Sequence, residues 1–253
     1  MRILEVVGLT KRFAGLTALD AVSFTAEEGQ ILGLFGPSGA GKTTCFHCLS
    51  GFATPDAGRI IFDGREITGQ SPHRLARAGI ARTFQIVKPF RTLTAAENVM
   101  VALGRRHYLG PAALLGSWPG RNTRRKALEL LEHVGLSAKA DHKAGLLPLG
   151  MLKRLEVARA LALEPRLILL DEPLGGLSHE ERRAAAELIA DLRARGMTVI
   201  LAEHQMRVAM ALVDRVVVLD HGALIASGPP ERVQADPKVI EAYLAEDALA
   251  PGP

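Results

Sequence analysis

The sequence predicts an α/β fold built on a mainly parallel, fully buried sheet. An N-terminal antiparallel β subdomain and a helical insertion accompany it. Three observations point there. Short apolar runs that do not alternate recur along the chain: "QILGLFG" before Pro37, "RLILLDEP" at 166–173 and "MTVILAEH" at 197–204. An unbroken apolar run of strand length is how a strand covered on both faces reads. Helical stretches such as His179 to Gly196 lie between these runs, and alternating strand and helix places ligands at the carboxyl ends of the strands. Finally, 253 residues at 48% hydrophobic and only 4% aromatic suffice for one substantial core of Leu, Val, Ile and Ala.

Along the chain, residues 4–30 and 58–63 read as short strands of an antiparallel sheet beside the main one. The middle, about 88–160, is mostly helical, broken by the Gly/Pro-rich stretch "LGPAALLGSWPG" at 109–120. The basic cluster Arg121, Arg124, Arg125 and Lys126 follows it; a solvated helix start explains it better than a nucleic-acid patch. "VVVLDHGALIASG" predicts a hairpin turning at Asp220-His221-Gly222. No internal repeat or low-complexity tract interrupts the chain.

The net charge of +4 is compatible with nucleic acid or anionic lipid but demands neither. No apolar run approaches the roughly 18 residues of a membrane span. The N-terminus "MRILEVVGLTKRF" carries charges through its apolar part, so mature protein is expected rather than a secretion signal. The two cysteines, Cys45 and Cys48, have Cys-x-x-Cys spacing. A zinc site needs about four ligands and no second pair exists, so two half-buried helical thiols are expected, in a reducing cytoplasm.

The chemistry starts at "GPSGAGKTT", residues 36–44, which matches G-x-x-x-x-G-K-[ST] between an apolar strand and a helix. Gly36, Gly39 and Gly41, with Pro37, Ser38 and Ala40 between them, let backbone N–H groups turn inward as a nest for phosphate oxygens. The helix that follows adds its positive end. Lys42 is placed to reach the β- and γ-phosphates of ATP, and the hydroxyl of Thr43, followed by Thr44, to ligate Mg²⁺. In "LILLDEP", Asp171 ends a buried strand, where a carboxylate suits a Mg²⁺ ion held through water. Glu172 is the candidate to polarise the attacking water. Together these define a P-loop NTPase.

Further segments narrow the family. Gln85 in "ARTFQIVKPF", His204 in "LAEHQM" and Phe13 in "LTKRFAGLTALDAVSF" resemble the Q-loop glutamine, the switch histidine and the adenine-stacking aromatic of ATP-binding cassette (ABC) proteins. The resemblance runs from about Leu4 to Ala245. "CFHCLSGFATPDAGRI", "KRLEVARALALEPRLILLDEPLGGL" and the ending "ASGPPERVQADPKVIEAYL" are similar to ATP-binding subunits of branched-chain (hydrophobic) amino acid importers. Relatives handling urea or short amides look alike. The resemblance implies one ATP-binding domain over 4–245: a core with β subdomain at about 1–87 and 161–245, a helical subdomain at about 88–160, and a tail at 246–253. It implies an ATPase dimer, two permease subunits and, indirectly, a substrate-binding protein, at the cytoplasmic face of the inner membrane. It also implies catalytic roles for Glu172, His204 and Gln85, a place for Gln85 on Mg²⁺, and a permease dock in "IVKPFRTLTAAENV", although Phe90 there also suits the core.

Two segments depart from the family pattern. The signature reads Leu147-Pro148-Leu149-Gly150-Met151, without the usual serine and glutamine. What remains is Gly150, its N–H and a helix start aimed, in trans, at the partner's nucleotide; proline near a helix start is well tolerated. Met151, Leu155, Ala158 and Ala162 repeat with helical spacing and should bury one face. Ser178 stands where many relatives carry the D-loop aspartate. A soluble cassette acting on nucleic acid or ribosomes and a non-hydrolysing regulatory module are the rival classes. No long coiled-coil insertion or paired cassette supports the first, and retention of Glu172 and His204 argues against the second.

Overall fold

The computed structural model describes residues 1–104, 121–203 and 209–249. Two sheets and a set of helices make up the chain. Strands β1 (Arg2–Phe13), β2 (Leu16–Glu27), β4 (Ala57–Phe62) and β5 (Arg65–Glu66) form an antiparallel sheet in the order β2-β1-β4-β5. The main sheet runs β10-β9-β3-β8-β7-β6. Its members are β3 (Ile31–Phe35), β6 (Ile80–Arg82), β7 (Leu167–Asp171), β8 (Thr198–Ala202), β9 (Arg215–Asp220) and β10 (Ala223–Gly228). All its pairings are parallel except β9 with β10. That hairpin turns at His221 (φ 43°) and Gly222 (φ 80°), where the sequence places it.

Every residue of β3, β7 and β8 is buried, and their period of two explains the unbroken apolar runs. Ile31, Phe35, Ile168, Leu170, Val199 and Leu201 enter one core with the helices. Leu32, Leu34, Leu167, Leu169, Ile200 and Ala202 enter the other, shared with the antiparallel sheet. Helix α1 (Lys42–Leu49) lies in that second core through Cys45, Phe46, Cys48 and Leu49. Both thiols are buried and free. Burial pushes the Cys48 thiol up to about 11 and Cys45 still higher, which makes them inert packing groups.

The remaining helices are α2 (Pro72–Ala78), α3 (Ala95–Leu103), α4 (Arg121–His133), α5 (Leu149–Leu161) and α6 (His179–Ala194), then short Pro230–Gln234 and C-terminal Pro237–Leu249. This last helix runs four residues into the stretch expected as a tail, 246–249. Thr94 and Ser178 cap α3 and α6 through reciprocal capping boxes with Glu97 and Glu181. Pro148 stands at the N-cap of α5 without a side-chain hydrogen bond. Leu155, Ala158 and Ala162 are buried as the spacing requires, with Met151 packed against the same core. In α4, Arg124 pairs with Asp141 and Arg125 with Glu129, the solvated helix start expected of the basic cluster. The Gly/Pro-rich stretch 109–120 lies outside the described residues.

Candidate nucleotide site

The parallel strands all end at one edge of the main sheet, and the site is assembled there. Just beyond β3, Gly36 has φ 146°, and a Cβ on it would stand 2.1 Å from the Leu219 carbonyl oxygen. Gly41 has φ 103°, and its Cβ would stand 2.6 Å from the Ala18 carbonyl oxygen. Neither position admits another residue without moving backbone. Gly41 is the N-cap of α1, with no side-chain cap and no acidic residue in the first turn. The first-turn N–H groups and the helix dipole therefore favour an anion at the loop. Lys42 is buried, its Nζ donating to the carbonyls of Gly36 (2.6 Å) and Pro37 (2.7 Å). The ammonium is thus held against the loop.

A cleft of about 490 Å³ opens over this loop. It is lined by Phe13, residues 38–44 and Glu172, together with Leu16, Thr17, Ala18, His221 and Gly222. Three sequence-predicted groups far apart in the chain therefore share one wall. Phe13 ends β1 and is 48% exposed, its ring 5.2 Å from the Lys11 ammonium. That leaves one apolar face for a planar base.

At the end of β7, Glu172 has φ 45°. A non-glycine residue in the left-handed region costs about 1–3 kcal/mol and persists only where its surroundings hold it. Here its N–H donates to the Ala202 carbonyl at 2.9 Å, and Lys153 Nζ donates to the Glu172 and Gly175 carbonyls at 2.6 Å each. Gln85 joins from the segment after β6: its Nε2 donates to Glu172 Oε2 at 2.9 Å.

Asp171 lies behind Glu172 and pairs with Arg82 at 2.7 Å, both side chains 5% exposed. Arg82 Nη1 donates to Ser50 at 2.8 Å, and the guanidinium lies over the rings of Phe46, Phe52 and Phe84 at 5.2–5.8 Å. Its Nε makes no hydrogen bond among the described residues, so the aromatic faces carry part of the compensation.

Several positioning groups were absent from the sequence reading. Arg82 has no motif of its own beyond its place before "TFQ". Tyr243 accepts a hydrogen bond from the Gly36 N–H at 2.9 Å, tying the C-terminal helix to the phosphate loop. Glu203 is buried and accepts from the Leu174 N–H at 2.8 Å; its place beside the switch position was its only signal. His204 itself lies outside the described residues. Gly150 is away from the cleft, on α5, where a Cβ would stand 2.4 Å from Glu181 Oε1. The Ser178 amide first, and the Gly150 amide to a smaller extent, hold the Glu181 carboxyl below the usual carboxylate range. Ser178 is thus engaged within its own capping box.

A family profile described as "ABC transporter" matches residues 19–175. The chain belongs to the ABC transporter family. A second profile, "Branched-chain amino acid ATP-binding cassette transporter", matches residues 223–244 of this ABC cassette. The cassette is 45% identical over 250 residues to the high-affinity branched-chain amino acid transport ATP-binding protein BraF of Pseudomonas aeruginosa, covering 96% of this chain and 98% of that one. Among solved structures it resembles the ADP conformation of an ATP-binding cassette of an ABC transporter, with TM-score 0.86, 32% identity, and 97% and 100% of the two chains covered. It also resembles a dimeric post-hydrolysis cassette bound to ADP and phosphate, with TM-score 0.77, 27% identity, and 90% and 99% covered. The fold is that of an ABC-type P-loop NTPase, and the protein is a nucleotide-binding transport ATPase.

Proposed function

We propose that this ABC ATPase powers uptake of branched-chain or closely related amino acids through partner permeases. The reading rests on one observation above others: the cleft that gathers Phe13, the 38–44 loop and Glu172, with Gln85 bonded to Glu172. ATP would lie with its base on Phe13 and its phosphates on residues 36–44. Glu172 would orient or deprotonate water for in-line attack on the γ-phosphate, Gln85 would fix Glu172, and His204 would hold the γ-phosphate.

Thr43, Gln85 and Asp171 suit Mg²⁺, which is bound by one or two carboxylates plus substrate phosphates rather than by a protein cage. Of the three, Thr43 lines the cleft, Gln85 reaches it through Glu172, and Asp171 is held behind Glu172 by Arg82. The ion would neutralise developing phosphate charge; the protein's part is position and fixed dipoles.

The match at 223–244 and the full-length similarity to BraF support the amino acid cargo. The dimeric relative supports a second ATPase subunit whose Gly150 segment covers the nucleotide in trans. Ile86 and Phe90, which follow Gln85 in the chain, are 72% and 45% exposed, apolar groups suited to docking two permease subunits, with a substrate-binding protein acting through them. No described helix is long and apolar enough to cross a membrane. The similarity to transport ATP-binding proteins supports a peripheral place on the cytoplasmic face of the inner membrane. The local pairing of Arg124 and Arg125 with acids disfavours a nucleic-acid role.

The test is uptake of labelled leucine by cells carrying Glu172→Gln at the chromosomal locus. Loss of high-affinity uptake, with the protein still present at its normal level, is the expected result. Unchanged uptake of leucine, isoleucine and valine would remove the cargo assignment.

A further inference from the structure

Of the four charged residues of helix α5, three stand at intervals of three, Lys153, Glu156 and Arg159. None of the three is turned fully to solvent: Glu156 is buried, and the other two are half-buried. Each holds backbone of a catalytic loop. Lys153 Nζ takes the carbonyls of Glu172 and Gly175 at 2.6 Å each. The Glu156 carboxylate accepts the Phe84 N–H at 3.3 Å. Arg159 Nη1 donates to the Lys88 carbonyl at 3.1 Å and stacks on Phe90 at 5.2 Å. Gln85 is therefore anchored on both sides by α5, while its side chain reaches the Glu172 carboxylate at 2.9 Å.

Two further facts give this arrangement a purpose. A cavity of about 40 Å³ remains between α5, the end of β7 and α6, lined in part by Phe84, Lys153, Glu156 and Asp171. The apolar face of α5 is packed in the core, and its three charged side chains add directional contacts to the loops beside that void. Ser178, which replaces the family's cross-dimer aspartate, is engaged with Glu181 in capping α6.

We propose that Lys153, Glu156 and Arg159 are positioning residues that set the reach of Gln85 and Glu172 from the signature helix of the same chain. The inference rests on the proposed roles of Gln85 and Glu172.

The test is a double-mutant cycle on the full chain assembled with its permeases, following ATP hydrolysis. Glu156→Ala should lower kcat about tenfold or more, as expected for a misplaced catalytic group, with KM for ATP within about twofold. In a Gln85→Ala background the same change should cost less than about twofold, because its effect passes through Gln85. Glu156→Gln, which keeps an acceptor oxygen, should recover most of the loss. Multiplying losses in the double variant, or wild-type kcat in Glu156→Ala, would overturn the proposal.

Hydrogen exchange of the purified full chain supplies a second readout that needs no turnover. Amides of residues 84–88 should exchange about two- to tenfold faster in Glu156→Ala, the loss of one hydrogen bond, with β3 and β7 unchanged. Unaltered exchange at 84–88 would also overturn it, and Arg159→Lys gives the same comparison if Glu156→Ala does not fold. If Gln85→Ala alone turns over like wild type, the proposed role of Gln85 has failed, and the exchange result alone then judges the tether.

Discussion

Replacing Glu156 by glutamine should stabilise the protein, and increasingly so as pH rises. The carboxyl is buried, and burial pushes it from 4.5 up to about 7, against the opposing pull of the Phe84 amide and Arg159. Between those two values the folded chain keeps a proton that the unfolded chain has released. Folding stability therefore falls as pH rises through that window, by about 1.4 kcal/mol for each pH unit and about 3 kcal/mol over the whole of it. Glutamine does not titrate, and every other ionisable group is common to both proteins. The stability of Glu156→Gln relative to wild type should then climb by about 3 kcal/mol between pH 4.5 and pH 8, or about 6–12 °C in melting temperature for a chain of this size. Thermal melts of both proteins across that range measure the gap directly. A gap that stays flat, or narrows as pH rises, would refute the reasoning.

Other consequences are as direct. Glu172→Gln should lower turnover by about 10²–10⁴-fold while ATP still binds and traps a dimer visible by size-exclusion chromatography; near-wild-type phosphate release would reject its role. Arg82→Ala leaves Asp171 buried without its partner and should cost about 3–5 kcal/mol in urea unfolding, and a loss below about 1 kcal/mol would mean the pair is relaxed in solution. Gly150→Asp places a second acid beside Glu181 and a negative charge at the α5 N-terminus. Hydrolysis by the assembled transporter should fall to background, and unchanged hydrolysis would show that the altered signature does not work through that helix end.

Much of the site was legible because phosphate chemistry constrains local sequence. The 36–44 loop, Asp171 and Glu172 each sit at the end of an apolar strand, and two glycines of the loop are fixed by backbone approach that only glycine allows. Unbroken apolar runs likewise announced β3, β7 and β8, since both their faces enter cores. The supporting groups could not be read so simply. Arg82 finds Asp171 across 89 residues, Tyr243 finds Gly36 across 207, and Lys153 finds the Glu172 carbonyl across 19. Such pairings are products of tertiary packing and leave no local period. In an amphipathic reading, the charges of α5 belong on a solvent face; the structure turns them toward loops whose backbone groups need partners. Ser178 was visible as a departure from the family pattern, but its capping of α6 emerged only with the helix start in place.

The most direct test of the central claim is capture of tagged Glu172→Gln protein, with ATP and Mg²⁺, from detergent-solubilised membranes of its own cells, with co-purifying proteins identified by mass spectrometry. The account predicts two permease subunits and a second ATPase subunit, the same or a different chain, in stoichiometric amounts. Capture of the chain alone, or with nucleic acid or ribosomes, would contradict it.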